Sequence, residues 1–143
     1  MEILSTSTED TKKLAGSIAK KLKPGIVLAL YGELGAGKTA FTNFLVKALG
    51  FVSRVQSPTF VVLRKYLGGR NAIKVINHID LYRLTNRREI DYLGLEEILS
   101  EPGSISIIEW PELIEDLLPP NTMKIKFEHV GEFERKINVQ SLS

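Results

Sequence analysis

There is no cysteine in these 143 residues. That absence removes disulfides, thiolate zinc sites, iron–sulfur clusters and thiol nucleophiles, and it agrees with a cytoplasmic setting. Aromatic residues are sparse, at 8%, with a single tryptophan, Trp110. No basic strip interleaved with aromatics is present, so nothing supports direct contact with nucleic acid. An excess of one charge is also missing. The 19 basic and 17 acidic residues leave a net charge of +2, a balanced surface. The Met1 end, "MEILSTSTEDTKK", lacks the basic-then-apolar pattern of a signal peptide. The apolar run "IVLALY" falls far short of the roughly 18–20 residues that cross a bilayer, so no membrane association is expected. The length suits one ordinary soluble domain spanning residues 1–143.

"EIL" at Glu2 to Leu4 reads as a short strand. A helix follows, with Ser7 or Thr8 as its cap, Glu9 and Asp10 in its first turn, and a stripe of Leu14, Ile18 and Leu22. "IVLALY" (Ile26 to Tyr31) reads as a strand buried on both faces. "TAFTNFLVKAL" (Thr39 to Leu49) is the next helix, stopped by Gly50. "SRVQSPTF" is a loop, and "FVVLRKYL" and "AIKVINHIDLY" are strands about a "GGRN" turn. One or two short helices surround Gly94, and "SISIIEW" is a short buried strand. Pro111 opens a helix that Pro119-Pro120 closes. "TMKIKFEHV" and "FERKINV" alternate apolar with polar residues, as half-exposed antiparallel strands do. The mixture predicts a three-layer α/β core with a mixed parallel and antiparallel sheet.

Gly32-Glu33-Leu34-Gly35-Ala36-Gly37-Lys38-Thr39 fits the pattern G-x-x-x-x-G-K-[ST]. Its three glycines let the backbone curl until successive N–H groups point inward at phosphate oxygens. The helix that follows presents its positive end to the same anion. Lys38 supplies a mobile charge for the β- and γ-phosphates, and the Thr39 hydroxyl is placed to ligate Mg²⁺. A buried strand before the loop and a good helix after it are the context a P-loop NTPase fold requires.

Such a site usually has an acid at the end of a neighbouring strand. Asp80 ends "KVINHID" and Glu109 ends "SISIIE", where strand carboxyl ends collect the site in open α/β sheets. One can help hold the metal while the other orients or deprotonates water; sequence leaves the roles open between them. Thr59 in "SPTF" resembles a switch threonine, although from the residues alone a plain Pro-Thr turn before a strand is the favoured reading. His78 and His129 have no ligand partner at metal spacing and read as surface or satisfied core histidines. Arg87-Arg88 reads as a solvated helix face, and Trp110 as a packing or partner-facing residue.

"YGELGAGKT", "SPTFVVLRKY", "HIDLYRL", "YLGLEEIL", "IIEWPE" and "LLPP" occur in this order. Together they resemble the bacterial tRNA threonylcarbamoyladenosine biosynthesis ATPases, the TsaE (YjeE) family, from about Thr8 to Val139. The resemblance implies a weak, partner-dependent ATPase needed to make N6-threonylcarbamoyladenosine (t6A) in tRNA. Its partners would be the transferase TsaD and the TsaD paralogue TsaB, whose turnover ATP hydrolysis supports. It implies that Lys38 and the backbone of Gly35, Ala36, Gly37, Thr39 and Ala40 hold the phosphates of ATP or ADP. Thr39 and Glu109 would serve Mg²⁺, Asp80 would stand near the hydrolytic water, and Thr59 would be the switch threonine. Thr8 and Thr11 would lie near the base, and Arg135 near the nucleotide.

The alternatives are a small-molecule kinase, a GTPase switch and a scaffold that binds nucleotide without hydrolysis. A kinase needs an acceptor pocket and usually an arginine-bearing lid; no such insertion separates the elements, and Arg83, Arg87 and Arg88 form the sole cluster that could imitate one. An Asn-Lys-x-Asp guanine reader is absent, which favours adenine.

Overall fold

The computed structural model describes residues 1–33, 35–52, 54–55, 63–69 and 72–141. It begins with β1 (Glu2–Ser5), α1 (Thr8–Ala19), β2 (Val27–Tyr31) and α2 (Lys38–Ala48). Next come β3 (Arg54–Val55), β4 (Leu63–Leu67), β5 (Val75–Asp80), α3 (Arg87–Asp91) and α4 (Leu95–Leu99). Then follow β6 (Ser104–Glu109), a 3₁₀ segment (Pro111–Leu117), β7 (Met123–His129) and β8 (Arg135–Ser141). The strands form one eight-stranded sheet in the order β1-β8-β7-β2-β6-β5-β4-β3. β7, β2, β6 and β5 pair in parallel, while the β1–β8, β8–β7, β5–β4 and β4–β3 pairs are antiparallel.

Side-chain alternation divides the sheet into two buried faces. Leu28 and Leu30 of β2, Ile76 of β5, Ile105 and Ile107 of β6, and Ile125 and Phe127 of β7 lie against Leu14 and Ile18 of α1 and Phe41 and Leu45 of α2. Val27, Ile79 and Ile108 face the other way, against Ile90 of α3, Leu95 of α4 and Ile114 of the 3₁₀ segment. Three layers result, as the apolar patterns predict. Ser7 caps α1 by accepting from Asp10 N. The Phe41 and Phe127 rings meet edge-on at 5.5 Å and seat α2 on β7.

Four features depart from the sequence expectation. Arg54 and Val55, in a segment read as a loop, pair with β4 as the short strand β3. β7 is antiparallel only to β8; its other edge pairs in parallel with β2, so it belongs to the central sheet. The segment opened by Pro111 is 3₁₀ rather than α-helical, with a non-helical break at Ile114. Arg87 is not simply solvated. Its guanidinium donates to both carboxylate oxygens of Asp116, at 2.8 and 2.9 Å, and ties α3 to the 3₁₀ segment.

A polar cluster pins β4 and β5 to the turn before β6. Glu101 accepts from Asn77 Nδ2 at 2.9 Å and from Lys65 Nζ at 2.9 Å, and these two donors hold its carboxyl below the usual glutamate range. A depressed carboxyl stabilises the fold above its unfolded value and loses that contribution as pH falls. Glu101→Gln is expected to lower the thermal midpoint at pH 7 by about 2 °C. The gap should shrink as pH falls below the ordinary value of 4.5, which melting curves at a series of pH values check.

Candidate functional site

The glycine-rich turn lies between β2 and α2. Gly32, Gly35 and Gly37 all have positive φ, at 145°, 80° and 105°, which is why glycine is required there. Two of them also make room. A Cβ on Gly32 would lie 2.6 Å from the Phe127 carbonyl oxygen, and one on Gly37 would lie 2.8 Å from Arg135 Cδ. Gly37 caps α2 without a side-chain bond, so the first N–H groups of that helix are left for an anion. Leu34 lies outside the described residues.

Lys38 is the first residue of α2 and is buried. Its ammonium donates to the Gly32 carbonyl oxygen and sits 3.8 Å from the centroid of the Trp110 ring. Burial pushes its pKa down, against the upward pull of the Glu109, Asp80 and Glu112 carboxylates. Trp110 holds a left-handed backbone, φ 60°, a costly conformation for a bulky residue of the kind that collects at functional sites. Its ring packs at 5.1 Å from that of Tyr82.

Asp80 and Glu109 end adjacent parallel strands and are register partners. One Asp80 oxygen accepts from Tyr82 N at 2.9 Å. One Glu109 oxygen lies 2.5 Å from Nε2 of His78, with both side chains buried. The turn and the strand ends together enclose a cleft of about 260 Å³. Gly35, Gly37, Lys38, Thr39 and Ala40 line one side, and Asp80, Tyr82, Glu109 and Trp110 the other. Among the described residues no three His, Cys, Asp or Glu side chains converge as a metal site. A hard cation here would take one or two protein oxygens and complete its shell from phosphate and water, as Mg²⁺ does at nucleotides.

Of the other residues singled out in the sequence, Arg135 lies against Gly37, and His129, its register partner, lies near Gly35. Both are beside the turn and outside the cleft lining. Thr11 is buried, its hydroxyl 2.8 Å from that of Ser5, and neither it nor Thr8 lines the cleft. Thr59 lies outside the described residues. Sequence reasoning passed over His78, Tyr82 and Glu112. The signal for His78 is its two-residue spacing from Asp80, which puts both on one face of β5.

The parallel core, the glycine turn entering a helix and the acids at neighbouring strand ends define an α/β protein of the P-loop NTPase fold. The family model for the threonylcarbamoyl adenosine biosynthesis protein TsaE matches residues 5–137, and the chain belongs to that family. A tRNA threonylcarbamoyladenosine biosynthesis protein TsaE from Bacillus subtilis is 38% identical over 133 residues, covering 93% of this chain and 80% of that protein. The protein of the same name from Rickettsia conorii is 40% identical over 134 residues, covering 93% and 74%. That from Treponema pallidum is 32% identical over 139 residues, covering 97% and 99%. Among solved structures, Bacillus subtilis YdiB superimposes with a TM-score of 0.79 at 31% identity, over 100% of this chain and 86% of that one.

Proposed function

We propose that the chain binds ATP with Mg²⁺ in this cleft and hydrolyses it slowly, in support of a t6A-forming complex of TsaD and TsaB. The observation that carries this reading is the convergence of Lys38, Asp80 and Glu109 on the glycine turn. The N–H groups at the start of α2 hold the phosphates, and the Lys38 ammonium leaves the Gly32 carbonyl to meet them. The Thr39 hydroxyl and one Glu109 oxygen hold Mg²⁺, which when bound offsets phosphate charge. Asp80, fixed by its bond to Tyr82 N, orients the attacking water and is the group within the cleft able to accept its proton. The chain belongs to a family named for t6A biosynthesis, which supports a t6A-forming complex as its partner. Among the described residues no helix is long and apolar enough to cross a membrane, in keeping with a cytoplasmic role.

The cleft is open to solvent, and no arginine among the described residues is part of its lining. A partner is therefore expected to complete the site. Phosphate release by the protein alone should be slow and should rise about tenfold or more when TsaD and TsaB are added. Equal turnover with and without them would exclude the partner-dependent reading. A small metabolite that provokes stoichiometric ADP formation would favour a kinase instead.

A further inference from the structure

The His78–Glu109 pair is absent from the roles assigned so far. On the α1–α2 face of the sheet, β5 presents Ile76, His78 and Asp80, and β6 presents Ile105, Ile107 and Glu109. The apolar rows end at His78 and Glu109, whose side chains are 3% and 5% exposed. Nε2 of the imidazole and Oε2 of Glu109 share one hydrogen. The other ring nitrogen, Nδ1, is buried without a partner among the described residues. An unmatched buried nitrogen is unfavourable, and an aliphatic side chain would fill this place without it. The contribution of the imidazole lies in the bond it makes.

That bond occupies one Glu109 oxygen and leaves the other for the cleft. Asp80 is restrained in a parallel way, with one oxygen on Tyr82 N. The anchors differ in kind: backbone for Asp80, a side chain for Glu109. Mg²⁺ favours single-oxygen carboxylate ligands in a strict octahedron, whereas Ca²⁺ readily takes both oxygens of a carboxylate.

Resting on the nucleotide–Mg²⁺ reading above, we infer that His78 is a positioning residue that holds Glu109 as a one-oxygen ligand and so sets the site's preference for Mg²⁺ over Ca²⁺. Removing the imidazole frees Glu109 to turn and chelate. Metal affinity commonly falls about 10- to 100-fold when the partner that orients a ligand is lost.

The test titrates ADP-loaded protein with Mg²⁺ and, separately, Ca²⁺, following the emission of Trp110, the single tryptophan in the chain. His78→Leu should raise the half-saturating Mg²⁺ concentration about tenfold or more. The Ca²⁺ value should change much less, and metal-free ADP affinity should stay within about twofold of wild type. His78→Gln, whose amide can still donate to Glu109, should recover most of the Mg²⁺ response. Equal shifts for both cations, or a parallel loss of metal-free ADP binding, would reduce His78 to a packing residue.

A second measurement needs no nucleotide. Nitrogen-15 NMR of the metal-free protein should show His78 protonated at Nε2, with a signal that moves in Glu109→Gln. An Nε2 that carries no proton overturns the inference, even if His78→Leu fails to fold. Wild-type protein that binds no ADP with Mg²⁺ overturns the proposed function. Wild-type binding with unchanged His78→Leu titrations overturns this inference alone.

Discussion

Lys38→Met is expected to cut ATP turnover about 100-fold or more while leaving the thermal midpoint unchanged or higher. The two outcomes have one cause. Burial is the largest influence on the Lys38 ammonium and pushes its pKa down, and the Glu109, Asp80 and Glu112 carboxylates restore only part of that. A lysine whose folded pKa is depressed reduces stability wherever it is charged. The reduction is complete below the folded value and fades as pH rises from there to the ordinary value of 10.5. Methionine keeps the packed stem and removes a buried charge whose desolvation outweighs the pull of its neighbouring carboxylates. It also removes the one cation that the described residues bring to the cleft lining. Phosphate release and thermal melting on the same preparation check both halves. Turnover within about threefold of wild type would contradict the phosphate-binding role of Lys38.

Asp80→Asn is expected to lower turnover about 100- to 1,000-fold with nucleotide affinity held within a few-fold. The substitution is nearly silent for the fold, because an asparagine oxygen can still accept from Tyr82 N as the aspartate does at 2.9 Å. What it loses is the charge and basicity facing the cleft. Steady-state phosphate release paired with equilibrium binding of a fluorescent ADP separates the two effects. If affinity and turnover fall together, Asp80 serves nucleotide binding and the water must be oriented elsewhere.

The elements were legible where local chemistry decides them. The unbroken apolar run of β2, the Ser7 cap of α1 and the glycine turn each declare themselves without a neighbour. Lys38, Thr39, Asp80 and Glu109 could be singled out because loop spacing and strand ends are written in one dimension, and the structure lines one cleft with all four. What depends on pairing could not be read. Alternation shows that β7 has an exposed face and a buried one but not that its other edge meets β2. His78 looked ordinary because its partner is 31 residues away, on a strand whose register sequence does not specify. The second reason for Gly37, room for Arg135, needs β8 folded over the turn. Trp110 was divided between core and partner roles until its left-handed backbone placed the ring over Lys38.

The edge strand β1 has a consequence for how the chain is made. Its sole neighbour in the sheet is β8, in antiparallel register from Glu2–Asn138 to Ser5–Arg135, and the Met1 amino group donates to the Val139 carbonyl oxygen. On the ribosome β1 emerges well before β8 and therefore has no partner until β8 has left the exit tunnel. Its backbone donors and acceptors stay with water until then, and closing so long a loop makes this pairing a late event. The same late strand carries Arg135 to the glycine turn. A nascent chain stalled before β8 would hold the glycine turn and both acids yet lack the clasp beside Gly37, so the phosphate cradle is finished only once β8 has emerged.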